Sequence, residues 1–315
     1  MNSKEVLESA TRQIRDHFQE TAARWIDEMV PFATAQAGLG SQGLRRRITV
    51  RESVLNTRLN ATTKRLDDGT FTVELNAGLT LLANRLADLF VAHLGFMGPT
   101  GKPIEGGVIN EVEFHDELRE LLATYWSNDR LYRPFHFELD RRQSFTSNHS
   151  DYAALLFEGT HRFVIGHELG HLILMTTKKE VPAYSKLVQV ATANRSKIPE
   201  EALPLFDSYA RRWAEELTCD RLGLTLTGDY FRATQRLGMT QVFNSAELLL
   251  ITLGLLESSI KLSEREAALN SHPPASERLR ILRIWVSQMP PHVHQMGRGF
   301  EQAAFHFIAT EEARR

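Results

Sequence analysis

Phe163-Val164-Ile165-Gly166-His167-Glu168-Leu169-Gly170-His171-Leu172-Ile173-Leu174 places two histidines four positions apart inside an otherwise apolar run. At the helical repeat that spacing stacks His167 and His171 on one face, within reach of a single metal ion. Val164, Ile165, Leu169, Leu172 and Ile173 predict a buried helix, where an imidazole pair is unfavourable without a ligand or a hydrogen-bond partner. Glu168 stands beside the first histidine, placed to take a proton from a metal-bound water.

The surrounding chain predicts a helical frame with one small sheet. Between Glu5 and Pro31, Val6, Ile14, Phe18, Trp25, Ile26, Met29 and Val30 recur at helical spacing, as one long or two short helices. The Gly-rich stretch 35–43 breaks that pattern ahead of Arg45, Arg46 and Arg47, so residues 1–43 read as an N-terminal helical extension and 44–315 as the main domain. Ile48 and Val50 alternate with polar residues, and Lys64 to Leu75 carries an Asp-Asp-Gly turn followed by alternation, which predicts an antiparallel sheet. Helical spacing returns over 78–95 and 112–126. The Gly/Pro-rich and irregular segments within about 96–150 read as an insertion. From Tyr152 to Leu282 the spacing is helical throughout, with breaks expected near Pro182, Pro199, Pro204, Gly228 and Pro273-Pro274. The expected class is mainly α with a small antiparallel β-sheet, α+β.

Composition narrows the function. A chain of 315 residues, 42% hydrophobic and 24% charged, has an ordinary soluble composition, which excludes collagen-like, mucin-like and wholly disordered proteins. A net charge of −2 gives no broad basic surface, so nucleic acid is not the expected partner; a DNA-associated regulator would rest on Arg45 to Arg47 alone. The single cysteine, Cys219, allows no intrachain disulfide and suits a reducing compartment. Residues 1–20 mix charges throughout, without the apolar core of an export signal. The apolar run Leu248 to Leu256 falls well short of the roughly 20 residues that cross a bilayer and reads as a buried core helix. The expected location is the cytoplasm, with no membrane partner.

His167, Glu168 and His171 form the HExxH arrangement of zinc-dependent hydrolases, which needs a third protein ligand and an open position for water. Downstream, Glu215-Glu216-Leu217-Thr218-Cys219-Asp220-Arg221-Leu222-Gly223 offers Glu216 as that ligand, with Asp220 one turn on to accept the free ring N–H of a ligating histidine. Glu215 is the rival and would put the aspartate out of phase, while Cys219, a soft ligand by chemistry, reads better as a small buried side chain. A third element, Ser271-His272-Pro273-Pro274-Ala275-Ser276-Glu277-Arg278-Leu279, starts a helix. His272 or Arg278 aimed into a cleft would stabilise an oxyanion, and a plain capping turn is the other reading. His292 and His294 in a loop, and His161 on a different face of the HExxH helix, are read as outside the site.

Taken in order, HELGH, EELTCDRLG and SHPPASERL resemble the M48 family of zinc metallopeptidases, which includes the heat-shock membrane protease HtpX and the CaaX prenyl proteases. The resemblance covers about residues 160–285, with a looser echo at Val73-Glu74-Leu75-Asn76-Ala77-Gly78-Leu79 that looks like the family's strand-to-helix entry. It implies a zincin-like catalytic domain with one zinc ion per chain, His167, His171 and Glu216 as ligands, Glu168 as general base and Asp220 behind the ligands. His272 and Arg278 then stand near a protein or peptide substrate. The chain departs from the family at Cys219, where alanine is usual, and in having no membrane-spanning stretch. Regulatory ImmA/IrrE-type peptidases share the aromatic lead-in His161-Arg162-Phe163, and Lit-type phage-exclusion proteases are also HExxH enzymes. A non-catalytic zinc-containing module that docks a partner through residues 1–34 is the reading from a different class. For an endopeptidase, the strand around Phe71 to Leu75 is expected to lie at a sheet edge and pair with an extended peptide.

Overall fold

A computed structural model describes residues 3–37, 48–53, 61–93, 116–118, 121, 147–177, 182–193, 196, 200, 203–236, 238–258 and 272–287. The Gly-rich break with Arg45, Arg46 and Arg47, most of the 96–150 insertion, Pro199, Ser271, His292 and His294 lie outside them. The described chain is mostly helical with one three-stranded sheet, an α+β arrangement. It divides into two compact units, residues 1–80 with 162–234 and residues 81–161 with 235–315.

In the first unit, the N-terminal periodicity becomes one continuous helix, α1 (Ser3–Gln36). Its buried stripe, Trp25, Ile26, Met29, Val30 and Ala33, follows the 3/4 spacing seen in the sequence. Strands β1 (Ile48–Ser53), β2 (Ala61–Arg65) and β3 (Phe71–Asn76) form a sheet in the order β1-β3-β2. β2 and β3 are the expected hairpin, with Arg65 opposite Phe71 and Ala61 opposite Leu75. Gly69 takes φ 78° in its turn, and the Asp68 carboxylate accepts the Thr70 N–H at 2.9 Å.

Two expectations about the sheet are corrected. It is mixed rather than antiparallel, because β1 runs parallel to β3, from Ile48 opposite Phe71 to Ser53 opposite Asn76. Alternation reveals a strand but not its direction. Here β2 lies between β1 and β3 in sequence but outside them in space, so it serves as the return path that parallel neighbours require. β3 is accordingly the central strand, not an edge. Phe71, Val73 and Leu75 are buried, and so are Thr72 and Asn76 on the opposite face, as expected of a strand covered on both sides. An extended peptide cannot pair with β3, since both its edges are taken.

α2 (Ala77–His93) follows β3 directly. α3 (Ser147–Thr177) carries the HExxH residues and belongs to the first unit from Arg162 onward. α4 (Pro182–Ala193) starts at its proline, and α5 (Leu203–Thr234) has Pro204 in its first turn, where a missing N–H is harmless. Gly228 does not break α5. It is buried along with Leu224, Leu226 and Phe231, and packing outweighs the ~1 kcal/mol helix penalty of glycine. The helix ends instead at Gln235, which adopts the left-handed φ of 53°.

The second unit holds most of α2, the start of α3, α6 (Met239–Ser258) and α7 (Ala275–Trp285). Its core draws on Leu82, Leu86 and Phe90 of α2, Leu156 of α3, Phe243 and Leu250 of α6 and Leu282 of α7. The run from Leu248 to Leu256 is indeed a core helix segment, with Leu248, Leu249, Leu250, Leu255 and Leu256 buried. Among the described residues no helix is long and apolar enough to cross a membrane.

Candidate metal centre

The centre is built where α3 and α5 cross at close range. A Cβ placed on Gly166 would lie 2.9 Å from both Cα and O of Gly223, and one on Gly170 would lie 3.0 Å from Cα of Cys219. Gly166 and Gly170 on one helix and Cys219 and Gly223 on the other are each four residues apart, so two stripes of small residues let the backbones meet. Cys219 is buried at this crossing, and burial, reinforced by the Glu216 and Asp220 carboxylates, pushes its thiol well above the usual range. A neutral, enclosed thiol packed on Gly170 fills the role of a small side chain.

That crossing brings Glu216 to the histidines. Glu216 Oε2 lies 3.3 Å from His167 Nε2, and its Oε1 lies 3.5 Å from His171 Nε2. The two imidazole rings meet edge-on, 4.9 Å between centroids. One turn beyond Glu216, fully buried Asp220 sits 2.9 Å from His167 Nδ1. The phase of α5 thus turns Glu216 toward the imidazoles, with Glu215 about 100° round the helix. Burial by itself would depress the His167 pKa, but Asp220 and then Glu216 outweigh it and push it up to about 10.

Glu168 is 4% exposed and faces the sheet: Thr63 of β2 lies with its hydroxyl 2.8 Å from Glu168 Oε2 and 3.1 Å from the Glu168 carbonyl. Ligand-capable atoms of His167, Glu168 and His171 all fall within 4.8 Å of one another. Donor chemistry fits zinc, with two imidazole nitrogens and one carboxylate converging and a second carboxylate fixing the first imidazole from behind. His171 is the most exposed of the three at 16%, which marks the side open to solvent.

α1 backs the crossing. Met29 reaches within 3.2 Å of the Gly166 Cβ position, and the Arg162 guanidinium, 1% exposed, stacks 3.5 Å over the Tyr230 ring while pairing with Glu28.

His272 and Arg278 belong to the second unit. His272 is exposed ahead of Pro273-Pro274, and the Pro274 carbonyl accepts the N–H groups of Glu277 and Arg278 at 2.9 and 3.0 Å to open α7. Glu257 of α6 accepts the Ala275 N–H at 2.9 Å, so this element has a clear helix-starting role. The sequence reading missed Thr63, the glycine stripes and Arg162. Only the stripes left a signal, in the Gly-x3-Gly and Cys-x3-Gly spacings.

No family model, no curated protein and no solved structure matches this chain.

Proposed function

We propose that the protein is a zinc-dependent metalloendopeptidase with a zincin-like catalytic domain, acting on a cytosolic protein or peptide. The observation that carries this reading is the convergence of His167 Nε2, His171 Nε2 and the Glu216 carboxylate, with Glu168 beside them. The ordered likeness of HELGH, EELTCDRLG and SHPPASERL to the M48 family supports it from the sequence side. A zinc ion held by the three ligands supplies Lewis acidity toward a water and the scissile carbonyl. Asp220 accepts the Nδ1–H of neutral His167, which presents Nε2 as the ligand atom. Glu168 takes the proton of the attacking water and returns it to the leaving amine. With β3 enclosed, β2 is, among the described residues, the sheet edge next to Glu168, and an extended substrate backbone would add to that edge.

The test uses the untagged chain. Mass spectrometry should find about one zinc per chain, lost in Glu216→Ala. Glu168→Gln should keep the metal and lose hydrolysis of labelled casein. Absence of zinc uptake at micromolar concentration, or undiminished hydrolysis by Glu168→Gln, would overturn the proposal and favour a non-catalytic binding module.

A further inference from the structure

Thr63 is separated from Glu168 by 105 positions, yet its hydroxyl touches both the carboxylate and the main-chain carbonyl of that residue. Glu168 is almost wholly buried, and a buried carboxylate is unfavourable unless donors meet it. A hydroxyl has one proton, and the shorter contact, 2.8 Å, is to Oε2. Two acceptors on one residue within reach of one hydroxyl leave the side chain little freedom to swing. Thr63 is itself held, since its strand is laddered to β3 with Thr63 opposite Val73.

We infer that Thr63 is a positioning residue: its hydroxyl holds the Glu168 carboxylate in the orientation from which it serves as general base, and ties that orientation to β2. The inference rests on the peptidase reading. The threonine proton stays on threonine, and the water's proton goes to Glu168 Oε1, the oxygen that Thr63 does not engage. Because β2 is also the edge proposed to receive substrate, the strand that takes the peptide is the one that sets the base.

The test compares Thr63→Val, which keeps shape and strand propensity but removes the donor, with Thr63→Ser, which keeps the donor. In the zinc-loaded full chain with labelled casein, Thr63→Val should lower kcat on the order of 10- to 100-fold with KM within about two-fold, and Thr63→Ser should recover most of kcat. Zinc stoichiometry should be unchanged in both. A second readout needs no activity: in the zinc-free chain, Thr63→Val should shift the unfolding equilibrium on the order of ten-fold, and by much less in a Glu168→Ala background. Wild-type kcat in Thr63→Val, or Thr63→Ser as slow as Thr63→Val, would overturn the inference while leaving the peptidase reading intact. Hydrolysis by wild type no faster than by Glu168→Gln would overturn both, even if the stability coupling were found.

Discussion

Gly223→Ala should weaken both the fold and the proposed metal site, although alanine is by far the better helix former. The new Cβ would sit 2.9 Å from the His167 nitrogen and the Phe163 carbonyl oxygen and 3.3 Å from the His167 Cα, all main-chain atoms that cannot rotate away. Ordinary contact begins near 3.4 Å, so α5 and α3 must part by roughly 0.5 Å. Overpacking of this kind costs about 1–3 kcal/mol, offset by about 1 kcal/mol of helix propensity. The expected net destabilisation is about 1 kcal/mol, or a fall of a few degrees in Tm. The same displacement carries Glu216 away from the imidazoles, and zinc sites tolerate only about 0.2 Å in ligand distance. Zinc affinity should therefore fall about ten-fold or more in competition with a chromophoric chelator. Gly254→Ala is the control, because its Cβ would meet Ala275 at 3.9 Å, an ordinary contact, and should raise Tm slightly. If Gly223→Ala matched Gly254→Ala in Tm and left zinc affinity unchanged, the close crossing would not exist.

The remaining predictions concern charge. His161 is buried against the Phe157 ring, and burial, only partly countered by a backbone hydrogen bond at Phe157, lowers its pKa from 6.5 to about 4. The unfolded chain thus binds a proton that the folded chain refuses as pH falls from 6.5 to about 4, so stability is full above pH 7 and declines by up to about 3 kcal/mol. Urea titrations at several pH values should show His161→Phe with a flatter slope over that window, and an unchanged slope would refute the assignment. For His167 the sign is reversed. With its pKa raised to about 10, the metal-free imidazole is protonated at neutral pH, so zinc uptake at pH 7 should release about one proton. Calorimetry in two buffers of different ionisation enthalpy measures this, and Asp220→Asn should reduce the release. Glu28→Ala removes a carboxylate that pairs with the buried Arg162 guanidinium from a half-exposed position and should cost about 1–2 kcal/mol in urea unfolding. A loss below about 0.5 kcal/mol would mean that this pair does not hold α1 in place.

What was legible in the sequence is what depends on near neighbours along the chain. The one-face stacking of His167 and His171, the Glu168 between them, the hairpin turn at Gly69, the buried stripe of α1 and the core segment from Leu248 to Leu256 all follow from helical or strand period and from local turn chemistry. Everything set by how one element lies against another was not. The direction of β1 and the central place of β3 depend on where β2 inserts, and alternation in a strand is blind to its neighbours. Gly228 reads as a break until its burial is known. The turning of Glu216 toward the imidazoles is a matter of the rotation of α5 against α3, set by the meeting of Gly166 and Gly170 with Cys219 and Gly223. Thr63 had no mark in the sequence at all, because a hydroxyl on a short strand acquires a role only when 105 positions of chain fold back to bring a carboxylate against it. The sequence by itself determined the helices and the chemistry that HELGH can support. Only tertiary structure decided which distant oxygens would face those imidazoles, because that depends on backbone approach and helix phase, which no local period encodes.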